Sequence, residues 1–138
     1  MKYVLDTNIV SALRQPARNP AVVAWAATVP AEHTFITATT VAEIGRGVTA
    51  MERKDPTSGR RLRAWFNADV IGVFTERTLP FDTAAALVFA TYRVPDHAPY
   101  DDALIAAVAQ SRGMVVATRN TKHFEPLGVE LVNPHDYS

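Results

Sequence analysis

Tyr3-Val4-Leu5-Asp6-Thr7-Asn8 carries the reading of the fold. Three apolar residues suit a short buried strand, the carboxylate ends it, and a helical pattern begins at once through Ile9, Val10 and Leu13. In open α/β sheets the carboxyl ends of the strands line the crevice where ligands bind, because the turns into the following helices expose backbone and polar side chains there. Asp6 therefore stands at the mouth of a sheet. The same grammar recurs: Thr34-Phe35-Ile36-Thr37 is a strand candidate leading into Thr40-Val41-Ala42-Glu43, a capping box opening a helix with Val41, Ile44, Val48 and Met51 at helical spacing. Met114 to Ala117 is a buried strand whose end carries Thr118-Arg119-Asn120, and Val129 to Val132 is a last strand before Asn133-Pro134.

The intervening segments read as helices. One runs from Asn8 to Leu13 and stops before Pro16; Asn19 caps the next, with Pro20 in its first position, through Ala27. Lys54 to Gly59 breaks the pattern, and a basic amphipathic helix follows through Leu62, Trp65 and Phe66 to about Val73. Thr78 to Phe81 is a weak strand, which Pro80 makes either an edge strand or a very short one. Asp82-Thr83 caps a helix from Ala84 to Tyr92, and Val94-Pro95 with Pro99 marks a loop. Asp101 to Ala109 is the clearest helix, with Gly113 placed to end it in a left-handed conformation. Strands alternating with helices imply an α/β fold: a central, mainly parallel sheet of four to five short strands flanked by helices.

The 138 residues fit one domain spanning 1–138. Fourteen basic residues balance fourteen acidic ones, so no global field draws the protein onto a polyanion. Any such binding is local. Arg46, Arg53, Lys54, Arg60, Arg61 and Arg63 cluster in one stretch opposed by Glu52 and Asp55, which makes either a basic rim or a solvated helix face. Cysteine is absent, which excludes disulfides, thiolate zinc sites and cysteine nucleophiles. Asp6 interrupts the N-terminus too early for a signal peptide, and no apolar run approaches the roughly 20 residues that span a bilayer. The expected compartment is the cytoplasm.

Each acid has a structural explanation: Asp6 as a helix cap, Glu43 as the capping-box partner of Thr40, Asp101 and Asp102 as complements to a helix dipole. Parallel topology nevertheless gathers strand ends and helix starts on one side of the sheet. Like charges about 4 Å apart repel by roughly 4 kcal/mol at an effective dielectric near 20, so carboxylates meeting there must protonate or take up a cation. Magnesium, or manganese, suits an all-oxygen set. His33, His97, His123 and His135 lack zinc-hydrolase spacing. No Gly-x-Ser-x-Gly elbow and no phosphate-cradling glycine loop occurs. Phosphodiester hydrolysis is the natural chemistry.

Four stretches together carry a family resemblance. Val4-Leu5-Asp6-Thr7-Asn8, Thr40-Val41-Ala42-Glu43, Asp102-Ala103-Leu104-Ile105-Ala106-Ala107 and Ala117-Thr118-Arg119-Asn120-Thr121-Lys122-His123-Phe124 stand in order over nearly the whole chain. In this the chain resembles the PIN-domain ribonucleases, most closely the VapC toxins of bacterial toxin–antitoxin pairs. The resemblance implies a PIN-like fold and a magnesium-dependent endoribonuclease in which cation-activated water attacks RNA. It implies Asp6, Glu43 and Asp102 as catalytic, metal-binding acids, with Asn120 also at the catalytic centre. Asn8, Thr118, Asp101 and Arg46 would stand beside them, Arg46 and the basic cluster holding the RNA backbone.

Asn120 and His123 replace the aspartate that some members carry in the fourth stretch, so one firmly held ion is expected, with a second arriving with substrate. The implied partners are RNA, a VapB-like antitoxin and a second copy of the chain, as a homodimer or within a heterooligomer. Trp25, Trp65 and Phe66 could serve such contacts or the core. The sequence leaves two rivals: a phosphatase or receiver-like phosphotransfer domain, which Asp6-Thr7-Asn8 disfavours by lacking a second acid, and a non-catalytic RNA-binding module.

Overall fold

In the computed structural model, which describes residues 1–138, five strands form one sheet. They are β1 (Tyr3–Leu5), β2 (Thr34–Thr37), β3 (Thr78–Leu79), β4 (Val115–Ala117) and β5 (Leu131–Val132), in the order β3-β2-β1-β4-β5. Every pairing is parallel. The expected mainly parallel sheet is thus wholly parallel, with the Pro80-terminated strand at an edge. Central β1 must be apolar on both faces, and it is: Val4 packs with Val116, Ile105 and Phe124, while Leu5 packs with Ile9, Ile36 and Val48. Two cores, one per face, follow from that alternation.

The helices are α1 (Thr7–Leu13), α2 (Pro20–Ala27), α3 (Ala38–Lys54), α4 (Pro56–Trp65), α5 (Thr83–Phe89), α6 (Tyr100–Ser111) and α7 (Thr121–Phe124). A π-helical segment, Phe66–Gly72, prolongs α4, so the basic helix ends one residue before the expected Val73. Trp25 and Phe66 are core residues, 5% and 7% exposed, whereas Trp65 is half-buried. Gly113 ends the α6 region at φ +66, as its position predicts. No helix is long and apolar enough to cross a membrane.

Three local expectations need correction. The cap of α3 is Thr37, whose hydroxyl accepts the Thr40 N–H at 3.1 Å; the helix therefore starts at Ala38, and Glu43 lies beyond the first turn instead of completing a capping box. Lys54 to Gly59 is no extended break. Asp55 accepts from Ser58 N–H at 3.3 Å and from its hydroxyl at 2.8 Å, so α4 begins at Pro56. Gly59 sits inside α4 because α3 presses on it: a Cβ there would lie 2.5 Å from Glu52 Cα. Asn19 does not cap α2 through its side chain; its Nδ2 donates to the Ala12 and Gln15 carbonyls and ties α2 to the end of α1.

Candidate active site

Strand register builds the centre of the site. Leu5 pairs with Ala117, and one residue further on Asp6 N–H donates to the Ala117 carbonyl at 2.9 Å, which sets Asp6 beside Thr118. Both are buried, 4% and 0% exposed. A buried carboxylate needs donors. Asp6 Oδ1 accepts from Thr7 N–H at 2.7 Å, and Oδ2 accepts from the Thr118 hydroxyl at 2.7 Å and from Asn8 Nδ2 at 3.2 Å. Thr118 Oγ1 in turn accepts the Asn120 N–H at 2.9 Å, and Asn8 Oδ1 accepts the Arg119 N–H at 3.2 Å. Asn8 and Thr118 thus act by fixing Asp6, with Thr118 out of solvent's reach.

The other acids approach from the helices. Asp102, in the first turn of α6, is held by His123 of α7, whose Nδ1 lies 2.8 Å from Oδ2. Glu43 stands at the rim on α3. Asp101 and Arg46 share a cleft with Glu43, so Asp101 faces α3 while Asp102 turns towards Asp6. Asn120 is exposed at the start of α7, its side chain making no capping bond. His123 is the neighbour that spacing does not reveal. It lies 21 residues from Asp102, and only the packing of α7 on α6 joins them.

Burial pushes the Asp6 carboxyl up from 3.8 to about 6; Thr118 and the Thr7 N–H oppose the shift, while the charges of Asp102 and Glu43 add to it. Partial desolvation also raises Glu43, reinforced by Asp101 and Asp102 and opposed by Thr7 and Arg46. The Thr7 hydroxyl donates to that of Thr40 at 3.2 Å and stands close enough to Glu43 to oppose the rise of its carboxyl.

The acids feel one another, yet no three Asp, Glu or His side chains are gathered closely enough to hold a metal ion as a set. Asp6, Asp102 and Glu43 nonetheless border one crevice, where the charges of Asp102 and Glu43 act on Asp6 and that of Asp102 on Glu43. The donor set still fits a hard cation: it offers only oxygen, its central carboxylate is short of compensating positive charge, and magnesium needs one or two carboxylates, with water supplying the rest.

An all-parallel α/β sheet with an acidic, oxygen-only crevice at the carboxyl ends of its central strands defines a class suited to cation-assisted phosphate chemistry. Residues 3–127 match the PIN domain, and the chain belongs to that family. It is 57% identical to ribonuclease VapC14 of Mycobacterium tuberculosis (strain CDC 1551 / Oshkosh) over 74 residues, 54% of this chain and 72% of that protein. It is 34% identical to the VapC ribonuclease Y4jK of Sinorhizobium fredii (strain NBRC 101917 / NGR234) over 139 residues, 95% and 96% of the two chains. Toxin FitB of Neisseria gonorrhoeae (strain ATCC 700825 / FA 1090) is 33% identical over 142 residues, covering 96% and 99%. The solved structure of FitAB bound to an IR36 DNA fragment matches with a TM-score of 0.87 at 31% identity, over 99% and 97% of the chains.

Proposed function

We propose that this chain is a magnesium-dependent endoribonuclease, the toxin of a VapBC-type toxin–antitoxin pair, acting in the cytoplasm. The observation that carries the reading is Asp6: a buried carboxylate fixed by three donors at the end of the central strand, with two further acids pressing its charge. Asp6 and Asp102 would hold the cation, magnesium or manganese, and Glu43 would complete the negative rim. Bound there, the cation would polarise a phosphoryl oxygen and ease deprotonation of the attacking water.

The remaining residues position the substrate and the acids. Thr118, Asn8 and the Thr7 N–H keep Asp6 from turning towards solvent, and His123 does the same for Asp102. Asn120 offers its free amide to a phosphate oxygen. Of the basic cluster, Arg46 and Arg53 line a groove beside the site and would follow the RNA backbone; Arg63 lines it too but is engaged by Glu52 at 2.7 Å. The names of the relatives support a ribonuclease, and the likeness to a member of the VapBC family of toxin-antitoxin systems supports an antitoxin partner, which would cover the acidic crevice. A second copy of the chain completes a homodimer or a heterooligomer with that antitoxin.

The test is magnesium-dependent RNA cleavage by Asp6→Asn, Glu43→Gln and Asp102→Asn, each expected to be inactive with unchanged circular dichroism. Asp101→Asn is expected to keep most of its activity. Full activity in any of the first three removes that residue from the site.

A further inference from the structure

The helix α3 divides two grooves of opposite character, and only one has a role in the reading above. On one side Arg46, Arg53 and Arg63 line the basic groove. On the other a groove of about 350 Å³ opens directly from the site, since Thr7 and Glu43 form its inner end. Its outer end is aromatic. Trp65 of α4 is half-buried there, and the Arg14 guanidinium lies 5.7 Å from the centre of its ring. The α3 wall is open because Gly47 has no side chain and nothing lies within 4 Å of the position a Cβ would take.

These features select a ligand chemistry. A phosphate group belongs in the basic groove, while flat surfaces from an indole and a guanidinium suit a planar ring. Ser11 on α1 and Gln15 just past its end, both exposed along the same groove, offer hydroxyl and amide groups to the edge of such a ring. Unpaired RNA is recognised in this way, by splaying a base from the strand, stacking it on an aromatic or guanidinium plane and hydrogen-bonding its edge. We propose that this groove receives one unpaired nucleobase of the RNA, next to the cleaved phosphate, with Trp65 as stacking platform and Ser11 and Gln15 as edge readers. The proposal rests on the endoribonuclease reading and adds to it the origin of base preference.

Trp65 reports its own occupancy. The only other tryptophan, Trp25, is 5% exposed in the core and gives a constant background. Short single-stranded RNA added to the uncleaving Asp6→Asn protein is expected to quench Trp65 emission, and the quench is expected to vanish in Asp6→Asn combined with Trp65→Phe, which keeps a ring and so preserves packing. RNA abasic at positions flanking the cleaved bond is expected to bind roughly 5- to 150-fold more weakly, the range for losing one stacked base. Gly47→Leu, filling the groove, is expected to flatten the preference among the four bases at one flanking position by a similar factor.

RNA that binds by anisotropy without moving Trp65 emission overturns the proposal, as does an unchanged preference in Gly47→Leu. If Gly47→Leu instead releases the antitoxin while preference persists, the groove is a peptide dock and the proposal is wrong. A wild-type protein that fails to cut any RNA with magnesium or manganese removes the ribonuclease reading, a result separate from the quench.

Discussion

Asp6 couples the site to the stability of the fold, and the coupling has a sign. The carboxyl titrates near 3.8 in an unfolded chain and at about 6 in the folded protein. Between those values the folded state keeps a proton that the unfolded state has released, so the Asp6 contribution falls as pH rises, and above about pH 6 the full penalty is present. A gap of about two pH units corresponds to roughly 3 kcal/mol. Asp6→Asn removes the titration. Its amide oxygen can still accept from Thr7, but its NH₂ group meets the donors of Asn8 and Thr118, which costs roughly 1–3 kcal/mol at every pH. The diagnostic quantity is therefore the change in the difference between the two proteins. Urea unfolding with chelator present is expected to show the variant gaining roughly 2 kcal/mol on wild type between about pH 4 and pH 7.5, the part of the penalty that falls in that window. Magnesium at about 100 times its Kd should then stabilise wild type by about 2.7 kcal/mol and leave the variant nearly unmoved. Parallel stability curves for the two proteins from pH 4 to 7.5 would refute the assignment of Asp6 as a buried, charge-strained carboxylate.

Thr118→Val removes the hydroxyl that most strongly opposes the rise in Asp6, and a hydrogen bond to a charged group is worth roughly 1.5–3 kcal/mol, so the acidic limb of the pH–rate profile should move up by about one to two units. An unmoved limb would detach Thr118 from the chemistry. Arg46→Gln and Arg53→Gln should each lower the slope of log binding against log salt by about 0.7 for single-stranded RNA, whereas Arg60→Gln, outside the basic groove, should leave it unchanged. Gly59→Ala should destabilise the protein by roughly 1–3 kcal/mol in urea unfolding, because its methyl group meets the α3 backbone at Glu52; a neutral result would mean that α3 and α4 part easily.

The difference between what the chain discloses and what it conceals lies in range. Strand ends, helix starts and the left-handed Gly113 depend on a few adjacent residues, and these are legible: β1, β2 and β4 fall where the apolar runs place them. Glu43 misleads for a local reason, since Thr40-x-x-Glu43 has the form of a capping box while the true cap, Thr37, meets the Thr40 N–H one turn earlier. That displacement frees Glu43 from a capping role and leaves it at the rim, so the structural explanation for this acid fails on geometry. Long-range choices are hidden. No pattern in three-residue strands specifies that Leu5 faces Ala117, yet a slip of one residue would carry Thr118 to the opposite face and strip Asp6 of a donor. The same holds for the paired aspartates: helical spacing leaves Asp101 and Asp102 nearly equivalent, and it is His123, arriving from α7, that engages Asp102. A side chain whose partner lies 112 residues away, as Thr118 does from Asp6, becomes visible only when register is known. The family resemblance supplies that register indirectly, because the four stretches must meet for the resemblance to have any chemical meaning.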